Sequence, residues 1–238
     1  QLEVPTAAQS DVELLLPREV DEFNSYLRAV EVADLEEPTA LLRLRSHLLR
    51  RAQLVLGDER LAYSKLVLAW GADVIRLGLD GDGLDRVYSI NDLLDYRAFR
   101  KALEGGKRVA IMGAGLIGCE FANDLRNGGY EVDVIAPDAA VMPSLLPEAA
   151  ANAVQQELQA LGVNFHLGTV VQRVDRDGQG VKLALANGDT LAADLVVSAV
   201  GLRPRTELAR AAGIEAGRGI VVNRALETSA PDVYALGD

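Results

Sequence analysis

Three glycines, Gly113, Gly115 and Gly118, stand in a Gly-x-Gly-x-x-Gly spacing directly after the apolar run of residues 109–112. Glycine permits a tight turn, lets a backbone close on a ligand and lets a helix lie against a sheet. In this spacing Gly113 makes the turn, Gly115 leaves room for a pyrophosphate, and Gly118 packs the helix. The first N–H groups of that helix lack intrahelical acceptors and carry the positive end of its dipole. Ala114, Leu116 and Ile117 therefore complete a backbone cradle for an anion. The chemistry this supports is the binding of a dinucleotide, with no bond made by a side chain. A glycine turn that binds nothing has the same spacing, so the reading depends on a strand before it and a helix after it.

Both are present in the pattern. Residues 109–112 are continuously apolar, as a strand covered on both faces requires. The following stretch places Ile117, Phe121 and Leu125 at helical spacing, with Asp124 and Arg126 turned outward, and stops at Gly128 and Gly129. A second apolar run, residues 132–136, comes at the distance a strand–helix–strand unit needs. The end of that second strand separates NAD from NADP. An acid there holds the free ribose hydroxyls, whereas a cation accepts the extra phosphate. The strand ends at Ala136, and the nearest acid is Asp138, which reads either as the ribose ligand or as a surface aspartate. From Asn127 to Gln172 there is no Lys or Arg, so NAD(H) is the expected dinucleotide.

The elements around this unit are read from the whole chain. Its 238 residues are 49% hydrophobic, enough for a sizeable core in one or two domains. One cysteine excludes a disulfide framework, a multi-cysteine metal or iron–sulfur site and a redox-active cysteine pair, and fits the reducing cytoplasm. A net charge of −11 argues against nucleic acid. No apolar run is long enough to span a bilayer and no signal peptide opens the chain. The chain starts at Gln1 and ends inside what reads as a motif, so it is expected to be a piece of something longer.

Residues 1–37 are acidic and aperiodic. Leu41, Leu42, Leu44, Leu48 and Leu49 alternate with Arg43, Arg45, Arg50 and Arg51 in an amphipathic helix whose basic face reads as a docking patch or as a solvated surface. His47 lies in it without a second ligand. A hairpin turning at Gly57 and Asp58 leads into the buried run 66–70, and Gly81 and Gly83 mark a loop. Asn91 is the expected N-cap of a helix whose apolar face is Leu93, Leu94, Tyr96, Phe99 and Leu103. Pro147 and Glu148 start a further helix ending at Gly162, and residues 163–167 form a strand in which His166 is a strand residue. Residues 170–174 and 181–185 alternate about Asp177 and Gly178, Asn187 and Gly188 make a hairpin turn, and 195–200 is the last buried strand. Residues 219–222 begin another strand. Strands and helices alternate through the middle, which predicts an α/β, Rossmann-like three-layer domain with a largely parallel sheet and helices on both faces.

Four stretches resemble one family together. Residues 63–72 (Tyr-Ser-Lys-Leu-Val-Leu-Ala-Trp-Gly-Ala) resemble the strand leaving the flavin domain of FAD-dependent pyridine nucleotide-disulfide oxidoreductases. Residues 113–120 are similar to that family's NAD-binding glycine motif. Residues 194–204 are similar to its exit from the NAD domain, and 229–238 to its second flavin motif. Within the family, Ala69-Trp70-Gly71, residues 116–125 and residues 197–201 resemble the rubredoxin reductases. The resemblance implies partial FAD-domain strands at 53–82, an NAD(H)-binding domain at 83–205 and a return into the FAD domain at 206–238, with 1–52 unassigned. It also implies that NADH delivers hydride to FAD, which passes single electrons to rubredoxin or a similar small iron protein. A ferredoxin- or nitrite-reductase-type flavoprotein, or a non-catalytic NADH-binding module, are the alternatives.

Such chemistry belongs to the cofactors, so no catalytic acid or base is expected. Glu120 matches the family's glutamate near the nicotinamide carboxamide, or is a helix-start acid favoured by the dipole. Val200 and Gly201 match backbone contacts to the dinucleotide, and Asp238 matches the aspartate that binds the FAD ribityl chain. Leu116 stands where relatives often carry an aromatic over the flavin. Trp70 stands where they commonly carry threonine, and either touches FAD or fills core. Cys119 reads as a small packed residue. The family's first glycine motif has no counterpart before residue 53, and its interface domain would follow Asp238. The chain alone is therefore expected to retain FAD poorly, and a purified chain that is yellow with stoichiometric flavin would contradict this.

Overall fold

The structure, a computed structural model, describes residues 53–56 and 59–238. The basic helix with His47, and the turn at Gly57 and Asp58, lie outside the described residues. Along the chain the strands are β1 (Gln53–Leu56), β2 (Glu59–Ala62), β3 (Leu66–Leu68), β4 (Ala72–Val74), β5 (Val87–Tyr88), β6 (Arg108–Met112) and β7 (Glu131–Ala136). They continue as β8 (Val163–Leu167), β9 (Val171–Asp177), β10 (Gly180–Leu185), β11 (Thr190–Ala193), β12 (Leu195–Ser198), β13 (Leu202–Pro204) and β14 (Val233–Ala235). The α-helices are α1 (Leu93–Ala102), α2 (Leu116–Asn127), α3 (Glu148–Ala160) and α4 (Glu207–Ala211). Contacts divide them into two units. One is Ala72–Arg203, and the other is Pro204–Asp238 with the described residues up to Gly71.

In the larger unit β5, β12, β6, β7 and β8 lie in that order in one sheet, every pair parallel. Alternate residues of β6 feed two different cores. Val109 and Ile111 join Phe99 and Leu103 near α1, Ala122 and Leu125 of α2, and Ala151 and Leu158 of α3. Ala110 and Met112 join Val174, Val181, Leu183 and Leu185 instead. The three helices therefore cover one face, and the antiparallel sheet β11-β10-β9 covers the other. The expectation of helices on both faces is corrected, while the three layers stand. The alternating strands at 171–193 each bear one apolar side, and stacking that side on the parallel sheet is what buries it.

Several local readings change for physical reasons. Asp92 caps α1 in place of Asn91, because its Oδ1 accepts the N–H groups of Leu94 and Asp95, each at 2.8 Å. The Asn91 amide is committed elsewhere, donating to the Ala72 carbonyl at 2.9 Å. Leu93, Leu94 and Tyr96 are exposed, and the buried contribution of this helix comes from Phe99, followed by Leu103. On α2 the buried stripe is Gly118, Cys119, Ala122 and Leu125, one residue round from the expected one. Ile117 is exposed, and Phe121 packs edge-on to Phe99 with ring centroids 5.7 Å apart. Asp124 faces outward as expected, but Arg126 does not. Its guanidinium donates to the carbonyls of Leu161 at 2.9 Å and Tyr130 at 2.6 Å, tying two helix ends together.

In the smaller unit β1 and β2 form the expected antiparallel hairpin, and β3 pairs in parallel with β14. Residues 219–222 do not form a strand. Ile220 makes an isolated antiparallel bridge to Ala216, and the neighbouring Val221 N–H donates to the Glu215 carbonyl at 3.0 Å. Leu66, Leu68, Ala209, Ile214, Val233 and Ala235 make a separate small core.

The start of β6 is held by Asp194, whose carboxylate accepts the N–H groups of Lys107 at 2.7 Å and Arg108 at 2.9 Å. Partial burial pushes the carboxyl up, but these donors and the Arg108 guanidinium outweigh it and hold the carboxyl below its ordinary range. Asp194→Asn is expected to lower stability by about 1 kcal/mol at neutral pH. Because the folded carboxyl is the stronger acid, this advantage is full above the unfolded value of about 4 and is lost as the pH falls through the folded one. Urea titrations of both proteins between pH 7 and pH 3 should show the difference closing only at the acid end.

Candidate dinucleotide site

The expected strand, glycine turn and helix are present where the sequence places them. Gly113 follows β6 with φ +108°, a left-handed conformation, and its N–H donates to the Ile135 carbonyl at 2.8 Å. A Cβ on Gly113 would strike the Ala199 carbonyl, and one on Gly118 would strike the Gly113 carbonyl. Both glycines are thus demanded by the protein's own packing. Gly115 is different. Its φ is −74°, it caps α2 with no side-chain acceptor, and a Cβ there would meet no atom within 4 Å. The fold gives no reason for glycine at 115 except the space it keeps open, which lies at the start of a twelve-residue helix whose first N–H groups point into it.

That space is part of a cleft of about 640 Å³ within the larger unit. Gly113, Ala114, Gly115, Leu116 and Ile117 line its middle, and Pro137 and Asp138 lie beyond β7. Val200 and Gly201 line it beyond β12. Gly118 sits buried beneath. Glu120 is not among the lining residues, and faces a neighbouring groove between α2 and α3 with Asn123, Asp124 and Glu157. Asn91, Ser144, Val170 and Ser198 also line the cleft and were missed by the sequence reading. Val170 carried a signal, since an apolar residue next to a glycine-threonine turn stands just outside its strand and is exposed. Asn91 carried none, because what brings it there is its amide bond to Ala72.

The carboxylate proposed for the ribose is on a fixed loop. The Asp138 carbonyl accepts the Gly168 N–H at 3.1 Å, and the Ala136 carbonyl accepts the Thr169 N–H at 3.1 Å. Among the described residues no lysine or arginine lines the cleft. Two side chains of reactive type near the cleft have local partners. Burial pushes the Cys119 thiol up to about 11, and its Sγ lies 3.6 Å from the Ala114 carbonyl. His166 Nε2 lies 2.8 Å from Asp133 Oδ1 on the adjacent strand. Among the described residues no group of three or more His, Cys, Asp or Glu could hold a metal, and no helix is long and apolar enough to cross a membrane.

A second pocket, of about 300 Å³, lies within the smaller unit and gathers Trp70, Gly71, Gly237 and Asp238. Ala69 is exposed and is not among its lining residues. Gly71 (φ +70°) and Gly237 (φ +94°) are left-handed, and a Cβ on either would meet no atom within 4 Å. At these two positions the pocket lining carries no side chain.

The family described as pyridine nucleotide-disulphide oxidoreductase matches residues 6–238. The chain belongs to that family. The match begins at residue 6, so it includes most of the stretch that the sequence leaves unassigned. The chain is 50% identical over 187 residues to a rubredoxin-NAD(+) reductase of Alcanivorax borkumensis, covering 78% of this chain and 49% of that one. It is 51% identical over 187 residues to the rubredoxin-NAD(+) reductase of Acinetobacter baylyi, covering 76% and 48%. The solved ferredoxin reductase of Rhodopseudomonas palustris superposes with a TM-score of 0.72 at 34% identity, over 78% of this chain and 46% of that one. The chain spans about half the length of the curated relatives it matches.

The two kinds of glycine make a discriminating test. Gly118→Ala should cost about 1–3 kcal/mol of stability by forcing α2 off the turn. Gly115→Ala should leave the melting temperature within a few degrees of wild type, yet weaken NADH binding about tenfold or more by filling the space for the diphosphate. Paired melting curves and NADH titrations of the two variants check this.

Proposed function

We propose that this chain is the NAD(H)-binding part, with flanking flavin-domain segments, of an NADH-dependent FAD oxidoreductase. Electrons would go from NADH to rubredoxin or a similar small iron protein in the cytoplasm. The observation that carries the reading is Gly115, a glycine with free space around it at the start of a helix, for which a diphosphate is the physical reason. The names of the relatives support rubredoxin as acceptor.

Each residue of the cleft has a defined task. The first-turn N–H groups of α2 hold the diphosphate. Asp138, anchored through its own carbonyl, accepts the adenosine ribose hydroxyls, and Pro137 and Val170 provide apolar surface on either side of that end. Val200 and Gly201 offer main-chain groups at the other end of the cleft, beyond β12. Glu120 keeps a role toward the nicotinamide only if the dinucleotide reaches round α2 to its groove. In the second pocket, Gly71 and Gly237 leave room beside Asp238, whose carboxylate can accept hydroxyls, and this fits a bound flavin nucleotide. FAD bound there would supply the conversion of a hydride into single electrons.

A ferredoxin as acceptor is the second reading, favoured by the likeness to the Rhodopseudomonas palustris protein. Exchanging rubredoxin for a ferredoxin in NADH-driven reduction by the intact protein separates the two. Absence of any NADH-driven dye reduction would leave a non-catalytic binding module. For the dinucleotide itself, titrated NADH should move the amide resonances of Gly113, Gly115 and Gly118. NADPH should bind about tenfold or more weakly, because its extra phosphate meets no cation among the described residues of the cleft. Unmoved glycine resonances in folded protein would overturn the reading.

A further inference from the structure

Trp70 and Arg205 hold one another by side chain and main chain at once. The Trp70 indole N–H donates to the Arg205 carbonyl at 2.6 Å, and Arg205 Nη1 donates to the Trp70 carbonyl at 2.9 Å. A third bond runs from the Arg205 N–H to the Gly71 carbonyl at 3.2 Å. Together they fix the end of the β3 segment to the chain just after β13, across 135 residues of sequence. Indole has a single donor, so this bond fixes the ring's one polar point and with it the ring's orientation.

The ring is not merely core. Leu66, Leu68, Ala209, Ile214, Val233 and Ala235 form the buried cluster, and Trp70 packs on its edge while staying half-buried. The surface it keeps belongs to the 300 Å³ pocket, which Gly71, Gly237 and Asp238 also line. An aromatic wall, two glycines that leave their Cβ positions vacant and a carboxylate are complementary to a group with a planar ring, a diphosphate and hydroxyls.

We propose that Trp70 is a positioning residue of this pocket: braced by Arg205, it presents its indole to bound FAD and sets the spacing of the two chain passages that enclose the cofactor. The proposal rests on the reading of the protein as a flavoenzyme. The brace adds two bonds through side chains to the main-chain bond between the Arg205 N–H and the Gly71 carbonyl. Retention of the flavin then depends on a tryptophan and an arginine that need make no bond to it through their charged or polar atoms.

The experiment uses the intact protein, flavin-loaded and flavin-stripped. The Trp70 indole N–H resonance is assigned by its loss in Trp70→Phe. It should move between the two forms, a response that a tryptophan serving only the small core would not give. Trp70→Phe removes the donor, and Arg205→Met removes the guanidinium bond while keeping the carbonyl. Each is expected to raise the FAD dissociation constant about three- to tenfold, the loss of one hydrogen bond. An indole resonance identical in the two forms overturns the proposal, as does wild-type FAD affinity in the variants. If Trp70→Phe does not fold, the affinity of Arg205→Met decides. An intact protein that takes up no FAD overturns the flavoenzyme reading itself, before any resonance is compared.

Discussion

The site depends on three pieces of main chain meeting with no side chain between them. The turn after β6, the exit from β12 and the first turn of α2 come together at Gly113 and Gly118, whose Cβ positions are taken by the carbonyls of Ala199 and Gly113. This close approach sets the N-terminus of α2 over the carboxyl edge of the parallel sheet. Its unpaired N–H groups then face a cleft and not a neighbouring side chain. Any side chain at either glycine would meet a main-chain carbonyl and lift the helix from the turn. Gly115 sits within the same turn and carries no such packing duty, which is why its vacancy speaks of a ligand.

The layers around that meeting point hold it rigid. Val109 and Ile111 on one face of β6, and Ala110 and Met112 on the other, are each at most 3% exposed, so the strand feeding the turn cannot tilt without opening a cavity. Asp194 pins the opposite end of the strand, its carboxylate accepting two main-chain N–H groups. The Gly168 and Thr169 N–H groups tie the loop carrying Asp138 to the end of β8. What the cleft offers is mostly backbone dipoles and apolar walls with one fixed carboxylate. Such a surface suits the proposed role of binding and orienting a cofactor that itself carries the redox chemistry.

Much of this was legible in the residues. The glycine spacing, the apolar run before it and the amphipathic stretch after it identify strand, turn and helix, because each follows from local sterics and periodicity. The absence of Lys and Arg between Asn127 and Gln172 is likewise plain in the chain, and among the described residues the cleft is lined by no cation. The hairpins at Asp177–Gly178 and Asn187–Gly188 are turn chemistry read directly. These signals span few residues, and no distant segment can alter them.

What only the tertiary structure decided is what meets what across long separations. Period-two alternation at 171–193 shows that one side of those strands is apolar, but not that it stacks on the parallel sheet in place of a helix. A run of leucines marks Leu93 and Leu94 as apolar, yet they are exposed, since the turn of α1 that packs is set by Phe99 and its contacts with Tyr88 and Phe121. Asn91 is drawn from a capping role by the Ala72 carbonyl, and Trp70 acquires its partner 135 residues away. Local sequence determines the conformations a segment can adopt. Which partners satisfy its remaining polar and apolar groups is decided by distant chain folding over it, and that is where the cleft, the second pocket and the Trp70–Arg205 brace arise.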